Sequence, residues 1–172
     1  MLLESIIIVI YTIAIVLIFL YALAQMNLLI NYLFSKKHRE DCEKFDLNKP
    51  EEVPFVTIQL PVFNELYVME RLLDNIALIE YPKEKLEIQV LDDSTDESLA
   101  TTKAHVEKLA AQGLDIKHIT RTNRKGFKAG ALKEGLKMAK GEFIAIFDAD
   151  FLPRPNWLKR TIPYFKNENI GV

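Results

Sequence analysis

A single cysteine, Cys42, stands in a chain of 172 residues, so no intramolecular disulfide staples it. Beside an apolar segment that thiol is a candidate for acylation, although an inert thiol is the commoner case. Histidine is scarce as well. His38, His105 and His118 lack the spacing and the nearby acidic or thiol partners of a ligand set, so they read as structural and no zinc site is expected. The six glycines form no G-x-x-x-x-G-K-[ST], which excludes a P-loop ATPase. Nor do they form G-x-G-x-x-G after the first strand, as the classical dinucleotide fold requires. Excess charge is missing too: 22 basic and 24 acidic residues leave a net −2, so no basic field points to nucleic acid. There is no internal repeat and no low-complexity tract.

What the chain has is unevenly spread. Ile6–Ala24 carries no charge, and only Gln25, Asn27 and Asn31 interrupt the apolar run before Phe34. A bilayer span needs about 20 apolar residues, so this reads as a transmembrane helix. A signal peptide would want a positive start, a shorter core and a small-residue cleavage site, whereas this chain starts MLLES. Lys36, Lys37 and Arg39 follow the helix, against only Glu4 before it. That asymmetry puts the carboxyl-terminal side in the cytoplasm, and the same cations can grip anionic lipid head groups. Residues 1–37 are thus expected to be membrane helix and basic flank. Residues 38–54, with Pro50, Glu51, Glu52 and Pro54, read as a juxtamembrane linker. Residues 55–172 remain as about one domain.

In that domain apolar runs recur at 55–60 (FVTIQL), 86–91 (LEIQVL), 115–120 (DIKHIT) and 143–147 (FIAIF). Their starts lie roughly thirty residues apart, the size of a βαβ unit. Helical patterns fill the gaps: 65–79, 96–112 with caps offered by Ser94, Thr95 and Asp96, and 127–139. Another helix is expected at 156–165, and Ile170–Val172 looks like the start of a further strand. Strand–helix alternation predicts an α/β fold with a mostly parallel sheet. The run at 143–147 is expected to be buried on both faces.

Each strand is followed by residues able to do chemistry. They are Pro61–Glu65, Asp92–Asp96, Arg121–Gly130 and Asp148–Asp150. In a parallel sheet these ends share the edge at which open α/β sheets bind ligands. An Asp-x-Asp triplet alone is a weak signal. Here Asp148 and Asp150, two apart on an extended chain, are expected to face one point. Acidic residues after strands two and four suit a divalent cation or a ribose hydroxyl pair. Lys128 falls in the first turn of its helix, where free amides already favour an anion. Plainer readings stand beside these. Asp92 and Asp93 suit a turn, Asp96 a helix cap, Glu65 a helix first turn, and Arg121, Arg124 and Lys125 a solvated basic turn. Trp157 reads as packing.

At QLPVFNE (59–65), VLDDSTD (90–96), RTNRKGFKAGALKEGL (121–136) and FDADFLP (147–153) the chain resembles the family 2 inverting glycosyltransferases with a GT-A fold. It is similar to their cellulose-synthase-like and mannan-synthase-like members. The resemblance covers essentially the whole chain. It implies a Rossmann-like, nucleotide-sugar-binding half behind a single membrane helix, using a UDP- or GDP-linked sugar, UDP-glucose or GDP-mannose. It also implies that Pro61, Phe63 and Glu65 line the base and ribose, that Asp92 or Asp93 contacts the nucleoside, and that Lys128 touches the diphosphate. Asp148 and Asp150 become the DxD pair, binding Mg or Mn and the donor phosphates. The sugar passes with inversion to a glycan acceptor.

The family's acceptor half carries a base Asp in a TED-like motif and a QxxRW motif, and neither occurs here. The expectation is therefore a donor-binding part, truncated before the acceptor side and inactive in transfer by itself. Two other functions remain open. One is a catalytically silent nucleotide-sugar-binding or membrane-assembly fragment. The other is a membrane-anchored nucleotidyltransferase, which would release diphosphate after attack at the α-phosphate.

Overall fold

The computed structural model describes residues 2–35, 49, 52–166 and 170. The chain divides into two compact units, Met1–Cys42 and Glu43–Val172. The basic flank, Cys42, His38, most of the expected linker and two residues of the expected last strand lie outside the described residues.

In the first unit, α1 runs from Leu2 to Ser35. At 1.5 Å per residue it is roughly 50 Å long, against a hydrocarbon core of about 30 Å. Its apolar side chains are exposed on every face. Several of its polar side chains are satisfied within the helix: Thr12 Oγ1 donates to the Ile8 carbonyl (2.8 Å) and Asn31 Nδ2 to Asn27 Oδ1 (2.8 Å). Helix α1 is long and apolar enough to cross a membrane.

The second unit is built on β1 (Val56–Val62), β2 (Leu86–Asp92), β3 (Ile116–Thr120) and β4 (Phe143–Ile146). The sheet order is β3-β2-β1-β4 and every pairing is parallel. The helices are α2 (Met69–Ala77), α3 (Ser98–Ala111), α4 (Phe127–Leu136) and α5 (Trp157–Thr161), with 3-10 turns at Lys83–Lys85 and Ile162–Lys166. The chain steps outward from β1 to β3, then returns to place β4 on the other side of β1. Strand order therefore reverses between β1 and β4, where such sheets open a crevice at their carboxyl ends.

One face of the sheet is the core. Val56, Ile58, Leu60 and Val62 of β1 pack with Leu72, Leu73 and Ile76 of α2, Val106 and Leu109 of α3, and Leu158 of α5. The other face is polar yet buried. The register sets Thr57 beside Glu87 and Gln59 beside Gln89. Thr57 Oγ1 donates to Glu87 Oε2 (2.9 Å), and Gln59 Nε2 donates to Gln89 Oε1 (2.9 Å). Glu87 also accepts from Lys117 Nζ (2.7 Å) and from the Lys140 amide (2.9 Å). Helix α4 covers this network. Gly135 makes that possible, because a Cβ there would lie 2.7 Å from Gln59 Nε2.

Burial opposes the charge on Glu87, but Lys117, the Lys140 amide and Thr57 outweigh it and hold the carboxyl below its usual range. Asp92 is depressed in the same way: His118 and Ser94 overcome its burial. A carboxylate whose folded value is the lower one stabilises the fold above its unfolded value, near 4, and that stability is lost as pH falls through the folded value. The denaturant midpoint is thus expected to hold from pH 7 to 5 and to fall below about pH 4. Glu87→Gln should flatten that fall while lowering the midpoint at pH 7, as read by urea titration across the range.

Three expectations shift. The run at 143–147 is not buried on both faces: β4 is an edge strand among the described residues, and Ile146 is 47% exposed. Ala145 and Phe147 belong to the core, and half-buried Phe143 packs against it. The helix expected from residue 65 starts at Met69, because Asn64 adopts a left-handed φ of 56° and residues 65–68 form a turn. The helix expected at 156–165 tightens into a 3-10 turn around Pro163, which has no amide hydrogen to continue the α-ladder.

Candidate functional site

A cleft of about 430 Å³ opens at the strand-order reversal. Pro61, Phe63 and Glu65 line it from the end of β1, Asp93 from the end of β2, Lys128 from α4, and Asp148 and Asp150 from beyond β4. These are all the residues singled out in the sequence except Asp92. Asp92 is buried away from the cleft, hydrogen-bonded to His118 Nε2 (2.8 Å) and accepting from the Ser94 amide (2.9 Å). Adjacent residues leaving a strand point to opposite sides, so only one of the Asp pair can face the cleft. His118 thus has an acidic partner, as does His105, whose Nε2 lies 2.8 Å from Asp74 Oδ1; both partners are distant in sequence.

Asp93 is held by Arg121, which is far from a solvated turn residue. Arg121 Nε donates to Asp93 Oδ1 (2.6 Å) and Nη2 to Oδ2 (2.5 Å). Its remaining hydrogens reach the carbonyls of Lys125 (2.9 Å) and Phe127 (2.7 Å). The two side chains are only 15% and 6% exposed. Asp93 strengthens the guanidinium's hold on its proton. One arginine therefore fixes both the acceptor after β2 and the loop that leads into α4.

That loop needs its glycines. Gly126 has a φ of +78°, and a Cβ on Gly130 would lie 2.0 Å from the Lys125 carbonyl. Phe127 also has a positive φ (47°), uncommon for an aromatic residue and a form of local strain that gathers at functional sites. The strand ends are tied to one another as well: the Asn64 amide donates to Ser94 Oγ (2.8 Å) and Asn64 Oδ1 accepts from the Thr95 amide (2.9 Å).

Arg124 belongs to the basic loop after β3, whose residues suit either phosphate neutralisation or a solvated turn. Its guanidinium lies 3.3 Å from the centroid of the Phe63 ring and 5.4 Å from that of Phe127. Its Nε sits 3.8 Å from Asp93 Oδ2 and has no hydrogen-bond acceptor. A cation stacked on a ring three residues after Arg121 has no short-range sequence signature, because Phe63 comes from the loop after β1, some sixty residues earlier.

Asp148 and Asp150 reach the cleft by a route other than the extended alternation expected. The strand ends at Ile146, and the Phe151 amide closes a turn onto the Asp148 carbonyl (3.0 Å). Buried Phe147 anchors the turn, edge-on to Trp157 at 5.0 Å and stacked on Phe151 at 5.5 Å. Trp157 is thus packing, as its sequence context suggested. Asp148 Oδ1 accepts from Lys128 Nζ. Among the described residues no three His, Cys, Asp or Glu side chains converge as a metal cage. Two carboxylates are what a hard cation sharing its shell with phosphate oxygens and water needs. The Lys128 ammonium already stands as a cation on one of them.

Residues 57–172 match the family described as glycosyl transferase family 2. Probable glucomannan 4-beta-mannosyltransferase 7 of Oryza sativa subsp. japonica is 45% identical over 126 residues, covering 70% of this chain and 22% of the relative. Glucomannan 4-beta-mannosyltransferase 1 of Cyamopsis tetragonoloba is 36% identical over 88% of this chain and 30% of its own length. The chain thus spans less than a third of such relatives. Among solved structures, the mannosyltransferase PcManGT of Pyrobaculum calidifontis, in complex with GDP-Man and Mn2+, superposes with a TM-score of 0.64. It is 33% identical, and the match covers 83% of this chain and 41% of that one. S. aureus TarS 1-349 in complex with UDP superposes at 0.55, is 27% identical, and covers 65% of this chain and 32% of that one. The parallel sheet, the helices against it and the matched motifs make this chain a member of glycosyl transferase family 2, with a GT-A-like fold.

Proposed function

We propose that this chain carries the donor-binding part of a membrane-bound inverting glycosyltransferase that builds a β-linked glycan. The observation that carries the reading is the convergence of Glu65, Asp93, Lys128, Asp148 and Asp150 on one cleft at the strand-order reversal. The donor is a nucleotide-diphosphate sugar. Relatives named as glucomannan mannosyltransferases and a neighbour solved with GDP-Man favour GDP-mannose over UDP-glucose.

In this reading Pro61 and Phe63 line the base and ribose, with Glu65 and Asp93 as acceptors for donor hydroxyl and amine groups. Asp92 acts through the fold, holding Ser94 and His118 in place. Lys128 and the free amides at the start of α4 receive the diphosphate. Asp148 and Asp150 would hold Mg or Mn, which when bound supplies positive charge to the diphosphate oxygens. The acceptor hydroxyl attacks the anomeric carbon from the face opposite the diphosphate, giving its proton to a general base of the kind the family's acceptor half carries. The carbon–oxygen bond to phosphate breaks, and the nucleoside diphosphate leaves against Lys128. A glycan is the acceptor. Helix α1 makes a single span through lipid, with its basic flank and the second unit on the cytoplasmic side.

Donor choice is tested by competition. With the full chain in detergent and manganese present, GDP-mannose should displace a fluorescent GDP at concentrations at least about tenfold below those needed for UDP-glucose, a difference of about 1.4 kcal/mol. Preference for UDP-glucose would reverse the donor assignment. Displacement by neither sugar nucleotide would overturn the proposed function.

A further inference from the structure

The geometry points to Lys128 as a cation-exchange switch: it holds the metal position on Asp148 until a divalent cation expels it onto the donor diphosphate. This rests on the proposed function and concerns how metal and nucleotide depend on each other there.

The cations around the cleft differ in how firmly each is committed. Arg121 is committed to Asp93 and two carbonyls, and its side chain is only 15% exposed. Arg124 is stacked on Phe63. Lys128 alone of the three reaches across the cleft, from the first turn of α4 to the turn after β4, to pair with Asp148. Both partners are about half exposed, 53% and 57%. Such a pair is weak, on the order of 0–1 kcal/mol, so its exchange costs little. Lysine carries a point charge on a flexible stem with rotatable donors, which suits it to serve two anions in turn.

A divalent cation wants the carboxylate oxygens that the ammonium now occupies. A divalent cation and the ammonium repel each other strongly when both contact the Asp148 carboxylate. Entry of the cation therefore releases Lys128. A released Lys128 stands at the amino end of α4, where the helix dipole and free amides already favour an anion. Without metal, a diphosphate meets a lysine tied to Asp148 and an Asp150 carboxylate with no ion-pair partner among the described residues. Without nucleotide, a metal must evict a lysine that gains no new partner. Each ligand removes the obstacle to the other, so the two bind with positive and reciprocal coupling.

The test measures manganese and nucleotide separately on the full chain in detergent micelles. Free Mn2+ is followed by electron paramagnetic resonance, and GDP and UDP by calorimetry. Lys128→Met should bind Mn2+ about two- to fivefold more tightly than wild type in the absence of nucleotide. The same variant should bind the nucleotide at least tenfold more weakly in Mn2+, with the coupling between the two ligands largely gone. Lys128→Arg keeps the charge and should keep the wild-type Mn2+ affinity. Unchanged or weaker Mn2+ binding in Lys128→Met overturns the switch, even if nucleotide binding falls. Failure of the wild type to bind GDP or UDP in Mn2+ is a different result and rejects the proposed function itself.

Discussion

Replacing Asp148 by alanine is expected to weaken GDP binding in manganese by about 100-fold, the scale of a lost charged ligand contact. The same change should leave the unfolding free energy within about 0.5 kcal/mol of wild type, as for other exposed sites. The separation follows from where Asp148 sits. Its side chain is 57% exposed, and its one ion pair among the described residues is the half-exposed one to Lys128. The turn that carries it is held by other groups: the Phe151 amide on its backbone carbonyl and the buried ring of Phe147 against Trp157. Asp148→Asn keeps the shape, loses the charge, and should behave like alanine toward nucleotide in manganese. Parallel calorimetry and urea titration check both halves. A large loss of stability with modest loss of binding would make Asp148 a structural residue.

Arg121→Ala should show the converse. The Arg121–Asp93 pair is almost wholly buried and doubly hydrogen-bonded. Removing one partner of such a pair costs about 3–5 kcal/mol, and Arg124, whose Nε lies 3.8 Å from Asp93 Oδ2 with no hydrogen bond to it, offsets only part of that loss. Two carbonyls, of Lys125 and Phe127, lose their donor at the same moment. They belong to the loop whose left-handed Gly126 and Phe127 open α4. Lysine should not rescue it, since a single ammonium cannot serve two carboxylate oxygens and two carbonyls in a plane. Chemical denaturation at pH 7 reads the loss. A drop below about 1 kcal/mol would contradict the buried-pair account.

The contrast marks what sequence could and could not reveal. That the four strand-end segments converge was legible, because parallel strands put every carboxyl end on one edge. Which of Asp92 and Asp93 faces the cleft was not, since two adjacent acids differ only in the direction the strand gives them. The structure turns Asp92 to His118 and Asp93 to Arg121. The apolar run at 143–147 could not say how many of its faces are covered; that depends on neighbours rather than on Phe143–Phe147. Thr57, Gln59, Glu87 and Gln89 carried a readable signal that the apolar flanks masked. They sit at matching alternate positions in FVTIQL and LEIQVL, and parallel register brings them side by side. Arg124 on Phe63 had no such signal, because its partner lies in the loop after a different strand.

The central claim is that the cleft between β1 and β4 binds a nucleoside diphosphate together with a divalent cation. It is tested most directly by calorimetric titration of GDP and UDP into the full chain in detergent, with manganese and again with a chelator. The account predicts saturable binding of at least one nucleotide, GDP first, that depends on manganese and is lost with the chelator. Absence of binding by both nucleotides with manganese present would contradict it.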